Sequence, residues 1–281
     1  LAAAARITAI FLAGALAAGP SAWAAAKPQR IMSMNLCTDL LLVQLVDRSR
    51  IASVTYLAAD SAEAIAPGLA RGLRINHGSA EEILDQKPDL ILAGAFSTAA
   101  TKAIARRAGA HLVETPTVVT FDDIRNGIRQ VGAAVGEPVR AQALVTRLDQ
   151  SLARLDRRRP ARPYPVAAWT GDSAPGRQTL ANTIIERAGA VNIAAKTDGP
   201  AYSTFGLEEL LVLRPRLLLY SGEASGKPSL MADRLHHPAI RKIYEERQLV
   251  FPEPFYSCGL PQSAEAAEIL ADALARSGPA P

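Results

Sequence analysis

The stretches EEILDQKPDLILAG (81–94) and EELLVLRPRLLLYSG (208–222) are two versions of one unit, and their agreement decides the fold. At an offset of 127 residues, Glu81 falls on Glu208, Glu82 on Glu209, Pro88 on Pro215, Leu90 on Leu217 and Leu92 on Leu219. Each copy opens with an acidic pair suited to a helix N-terminus. It continues as a short amphipathic helix, turns at a proline and enters an apolar run of strand length. A charge pair, a proline and a strand that match together imply two related lobes.

Working outward through the first lobe, IMSM (31–34) reads as a strand, Asn35, Leu36 and Cys37 as the loop after it, and Thr38 or Asp39 as the cap of a helix to Val46. IASVT (51–55) is a second strand, followed by a polar loop from Tyr56 to about Gly78. The repeat unit supplies a helix over 80–86 and the strand LILAG (90–94); a helix over 99–108 and the strand HLVE (111–114) follow. This alternation predicts a parallel or mixed sheet covered by helices.

From Asp122 to Arg158 no strand pattern occurs. Asp122 and Asp123 read as caps, Gly136-Glu137-Pro138 as a break, and Pro138 as the first turn of a new helix. Leu144, Leu148, Leu152 and Leu155 then form one stripe of a helix over 138–158, about 30 Å long at 1.5 Å per residue. The following arginines suit its C-terminus, and Pro160, Pro163 and Pro165 end it before VAAW (166–169) resumes the strand pattern. The expected organisation is a lobe over 27–137, a stiff inter-lobe helix over 138–159 and a second lobe over 160–281. Residues 1–26, with Arg6, an uncharged apolar run and alanines before Lys27, read as a cleaved signal peptide.

Among the 281 residues, 49% are hydrophobic and 21% charged, which excludes global disorder. Lys+Arg 31 against Asp+Glu 27 is too small and too scattered an excess for a nucleic-acid surface. The chain lacks a G-x-S-x-G elbow and an HExxH pair, so an exported hydrolase, the alternative from another class, lacks its parts. A receptor ectodomain would need an uncleaved anchor. Four histidines, with His77 and His111 isolated, make no metal cluster, and no intrinsic cofactor is expected.

KPQRIMSMNLCTDLLLVQL (27–45), the EEIL…KPDLIL unit, QTLANTIIERAGAVNIAA (178–195) and LEELLVLRPRLLLY (207–220) resemble, in order and spacing, the periplasmic solute-binding proteins of metal-chelate ABC importers. These bind cobalamin, ferric siderophores or haem. The resemblance covers nearly all of the chain beyond residue 26. It implies an α/β protein of two Rossmann-like lobes joined by one long rigid helix, a ligand cleft between the lobes, no catalysis and a periplasmic location. It further implies a monomer whose ligand is a cobalt or iron chelate and whose partner is an inner-membrane permease dimer. Family members dock through one exposed glutamate per lobe, which maps here to Glu81 and Glu208; plain helix capping is the alternative role.

In open α/β sheets the crevice lies beyond the strand C-termini. Asn35, Leu36, Cys37, Tyr56, His77 and Phe96 are therefore expected to line the cleft from the first lobe, and Trp169, Arg177, Tyr202 and Tyr256 from the second. Aromatic faces suit broad corrin or porphyrin ligands. Arg177 suits a carboxylate-rich chelate, and a cleft tyrosine or His77 could be an axial ligand to haem iron. Cys37 and Cys258 fall in cleft loops of different lobes. Two unpaired thiols are expected, because a cross-cleft disulfide would staple the lobes shut.

Overall fold

The structure, a computed structural model, describes residues 26–58, 65–66, 68–95, 97–169, 172–195, 201–221, 233–234, 237–251 and 253–276. Residues 1–25 of the expected signal peptide and Phe96 lie outside these residues. The first lobe is a five-stranded parallel sheet of β1 (Ile31–Ser33), β2 (Ile51–Thr55), β3 (Ile75–Asn76), β4 (Leu90–Gly94) and β5 (His111–Thr115), in the order β3-β2-β1-β4-β5. β4 is buried along its whole length, as its unbroken apolar sequence requires of a strand covered on both faces.

The second lobe holds a four-stranded parallel sheet of β6 (Tyr164–Ala168), β8 (Ala190–Asn192), β10 (Leu217–Ser221) and β11 (Gln248–Phe251), ordered β11-β10-β6-β8. β7 (Ser173–Pro175) and β9 (Tyr202–Thr204) form a separate antiparallel pair.

The helices of the first lobe are α1 (Leu36–Leu45), α2 (Ala80–Gln86), α3 (Ala99–Arg107) and α4 (Phe121–Ala134). Next come α5 (Pro138–Asp156), α6 (Leu180–Arg187), α7 (Leu207–Leu213), α8 (Pro238–Tyr244), α9 (Glu253–Ser257) and α10 (Gln262–Arg276). The repeat is visible residue for residue: α2 and α7, like β4 and β10, start and stop 127 positions apart. Each of these helices ends on a left-handed residue, Lys87 (φ 46°) and Arg214 (φ 43°), the two non-glycine residues with positive φ among those described. Both stand immediately before the repeat's proline, which disfavours right-handed helical geometry in the preceding residue.

Three expectations need correction. The cap of α1 is Asn35, whose side chain accepts from the Cys37 N–H, so Leu36 and Cys37 are its first turn rather than a loop. Thr120, not Asp122 or Asp123, caps α4, in a reciprocal box with Asp123. The polar loop after Tyr56 contains β3, which pairs with the end of β2.

α5 runs between the two sheets in sequence and packs on both lobes. It lies against α4, and α10 returns along it, tied by Arg147–Glu265, Arg154–Glu268 and Arg158–Asp272. One continuous apolar core reaches from Ile31 and Leu40 through Val145 and Leu148 to Ile184, Leu260 and Leu270.

Candidate functional site

In both sheets the strand order reverses beside the first strand of the lobe, between β1 and β4 and between β6 and β10. Two hollows open there, beyond the strand C-termini, where open α/β sheets form their crevice. The first-lobe hollow is walled by Asn35, Thr38, Gly94 and Thr115 to Val118, with Ser257 and Gly259 arriving from the second lobe. Gly94 is required: a Cβ there would lie 2.6 Å from Cγ of Asn35. This wall is largely apolar, with Cys37, Leu41, Ala95, Pro116 and Val118, and carries scattered amide and hydroxyl groups around the start of α1.

The second-lobe hollow is apolar and aromatic, lined by Trp169, Tyr202, Leu219, Tyr220, Phe251 and Tyr256 among others. Trp169 is 1% exposed, and its indole N–H donates to the Phe205 carbonyl at 2.9 Å, so it forms the rigid back of this slot rather than its rim. Tyr202 is 56% exposed and stands at the mouth. The segment 256–259 joins the hollows, with Tyr256 in one and Ser257 and Gly259 in the other.

That segment carries the largest correction. Cys37 and Cys258 are joined in a disulfide, their Cα atoms 5.0 Å apart, and no free cysteine remains. The expectation of free thiols assumed that Cys258 faced Cys37 across an open gap. Instead, the turn between α9 and α10 already lies on the first lobe: Gly259 abuts Val118 and Gln262 donates to Gln44. The bridge therefore closes no gap.

Of the other expected residues, Tyr56 and His77 stack on each other at the ends of β2 and β3, with ring centroids 5.3 Å apart. Tyr56 is 56% exposed, and the His77 N–H donates to Glu82. Neither lines the two hollows. Leu36 packs against the core, and Arg177 is exposed and outside both hollows. Thr115 to Thr117, Tyr220 and Phe251 were missed. The strand-end rule, applied to HLVE and to the repeat strand, points to the first four of these.

Below the first-lobe wall, Asp39 is fully buried and accepts from the Thr55 N–H at 3.2 Å and from the Thr55 hydroxyl. Burial outweighs these hydrogen bonds and those of Ser33 and pushes its pKa up to about 6. A folded-state pKa above the unfolded value stabilises fully below pH 4 and is lost as the pH rises through 6. Glu82, Asp123 and Glu137 act oppositely: their pKa values are held down, so their contribution disappears in acid. Asp39→Asn is therefore expected to flatten the fall in stability between pH 4 and 7, by about 3 kcal/mol at neutral pH. Urea melts across that range check it; an unchanged slope would show that Asp39 is not the group responsible.

The acidic pairs divide their labour. Glu82 and Glu209 accept from the N–H of Ser79 and Gly206 and so close the helix starts. Glu81 and Glu208 are exposed. Hydrogen bonds from its own N–H and from Ser79 hold the Glu81 carboxyl below the usual range. Among the described residues no group of three or more His, Cys, Asp or Glu could hold a metal, and no helix is long and apolar enough to cross a membrane.

The periplasmic binding protein family profile matches residues 31–242. No curated protein matches the sequence. Among solved structures, the apo haem-binding protein RhuT from Roseiflexus sp. RS-1 superposes with a TM-score of 0.73 at 23% identity, covering 89% of this chain and 98% of that one. The vitamin B12 binding protein BtuF of Vibrio cholerae gives 0.67 at 20% identity, with 89% and 98% covered. Molybdate-bound MolA of Haemophilus influenzae gives 0.72 at 17% identity, with 88% and 86% covered.

Proposed function

The chain belongs to the periplasmic binding protein family, substrate-binding components of ABC importers rather than enzymes, and on that premise we propose that its cargo is a metal chelate, a ferric siderophore or cobalamin. The observation that carries this reading is the pairing of unlike walls. An aromatic slot (Trp169, Tyr202, Tyr220, Tyr256) adjoins a largely apolar wall that carries a few amide and hydroxyl anchors (Asn35, Thr38, Thr115, Thr117, Ser257). A chelate wraps its metal in a broad organic shell with apolar faces and a polar periphery, which such walls complement. Structural relatives named for haem and vitamin B12 support a large flat cargo.

Within this proposal the lobes span 27–137 and 160–281, residues 1–26 are removed on export, and the monomer delivers its cargo to a permease dimer. Titration of the purified protein with cyanocobalamin, ferrioxamine B, hemin and molybdate, followed by Trp169 fluorescence, tests it. Energy transfer to a coloured chelate reaches a buried indole, so saturable quenching at sub-micromolar concentration of one chelate is expected. Tight binding of molybdate alone, or no quenching and no thermal shift with any of the four, would overturn the reading.

Haem is the second reading, favoured by one observation: the stacked Tyr56–His77 pair places a phenol and an imidazole side by side on the exposed first-lobe edge. Hemin binding whose visible spectrum changes in Tyr56→Phe or His77→Ala selects it.

A further inference from the structure

We infer that the Cys37–Cys258 disulfide is a positioning device for the cargo: it fastens the segment Tyr256–Gly259 of the second lobe onto the first-lobe wall, so that the floor of the cleft is built before ligand arrives. The inference rests on the reading of the crevice as the cargo site.

Three observations lead there. First, the bridge stands in the crevice. Cys37 is the second residue of α1 and lines the first-lobe hollow beside Asn35 and Thr38, while Cys258 is 1% exposed directly behind it. Second, the fastened segment is the one stretch that the two hollows share. Tyr256 contributes to the aromatic slot, and Ser257 and Gly259 contribute to the first-lobe wall. A shift of this segment by an ångström would alter both walls at once. Third, its own secondary structure is slight. α9 is a five-residue helix that packs on α6 and α10, both on the second-lobe side, and Cys258 and Gly259 follow it without regular structure. The seam to the first lobe is made by contacts such as Gly259 on Val118, by the Gln262–Gln44 hydrogen bond and by the one covalent link.

The sequence separation of the cysteines is 221 residues, so the bond also constrains the unfolded chain. That accounts for a gain in stability wherever the bridge sits, but not for its place at the junction of the two walls. Fixing a binding segment in advance removes the ordering cost that a ligand would otherwise meet. It also slows the motion by which the ligand escapes.

The test compares the oxidised protein with the protein reduced by phosphine, with Cys37→Ser/Cys258→Ser, and with the reduced protein after reoxidation. The first readout is amide hydrogen exchange without ligand. Peptides covering 253–261 and 36–41 are expected to exchange about tenfold faster once the bond is gone, with β4 and β10 unchanged and protection restored on reoxidation. The second is the dissociation rate of whichever probe the oxidised protein retains (cyanocobalamin, ferrioxamine B or hemin), expected to rise about tenfold. Unchanged exchange in 253–261 would overturn the inference, as would acceleration spread evenly over both sheets, the mark of a purely global effect. Equal dissociation rates would overturn it as well. Should the oxidised protein bind none of the probes, the proposed cargo fails, while the exchange readout still decides whether the bond orders the segment. Reduction of the folded protein gives that answer even if the double serine variant does not fold.

Discussion

Reversing both repeat acids, Glu81→Lys with Glu208→Lys, is expected to abolish cargo uptake by cells while the affinity of the purified protein stays within about twofold of the parent. The separation of effects follows from geometry. Glu81 and Glu208 are exposed near the starts of α2 and α7, away from both hollows, and their neighbours Glu82 and Glu209 hold the capping hydrogen bonds. Each helix therefore keeps its reciprocal cap after reversal and loses a favourable charge–dipole contact and, at Glu81, the hydrogen bonds from its own N–H and from Ser79. An exposed carboxylate is available to a cationic partner, and reversal there turns attraction into repulsion. Each single reversal should leave partial uptake, because the other lobe retains its handle. Uptake is measured with radiolabelled cargo and affinity by fluorescence. Loss of affinity in step with uptake would contradict the docking role, and normal uptake would place the docking face elsewhere. Glu82→Gln is the contrasting control, expected to lower stability through the cap and to leave uptake intact.

Gly132→Val is expected to lower the melting temperature by roughly 6–12 °C, the equivalent of about 3 kcal/mol for a chain of this size. A Cβ at position 132 would lie 2.2 Å from the Ala141 Cβ, a distance no carbon pair tolerates. Ala141 is 1% exposed and has no flexible end to swing away, so α4 and α5 would have to separate where the first lobe joins the inter-lobe helix. Ala141→Gly in the same chain should recover part of the loss. Calorimetry of the single and double variants checks both expectations, and a Gly132→Val protein that melts with the parent would refute this contact.

The architecture was legible because its signals are local and repeated. The helix over 80–86, LILAG, IASVT and the start of the long helix at Pro138 fall where charge pair, proline and apolar run place them. Short or tertiary features were not. Ser-Ala-Pro and Tyr-Ser-Thr carry no alternation that marks β7 and β9, which exist because they pair with each other. Asn35 read as loop because the sequence shows a cap only once the helix start is known. The disulfide joins residues 221 apart, and the contact depends on α10 bringing the preceding turn back to α1, which no local pattern announces. Arg177 shows the converse failure: chemistry suitable for an anionic chelate, placed outside both hollows.

The covalent path between the halves runs through α5, and the sulfur bond adds a second point of attachment. A body pinned to another at two separate points keeps a single freedom, rotation about the line through them. Sliding and twisting of one half past the other are thereby opposed, because either would have to break the sulfur bond or bend α5.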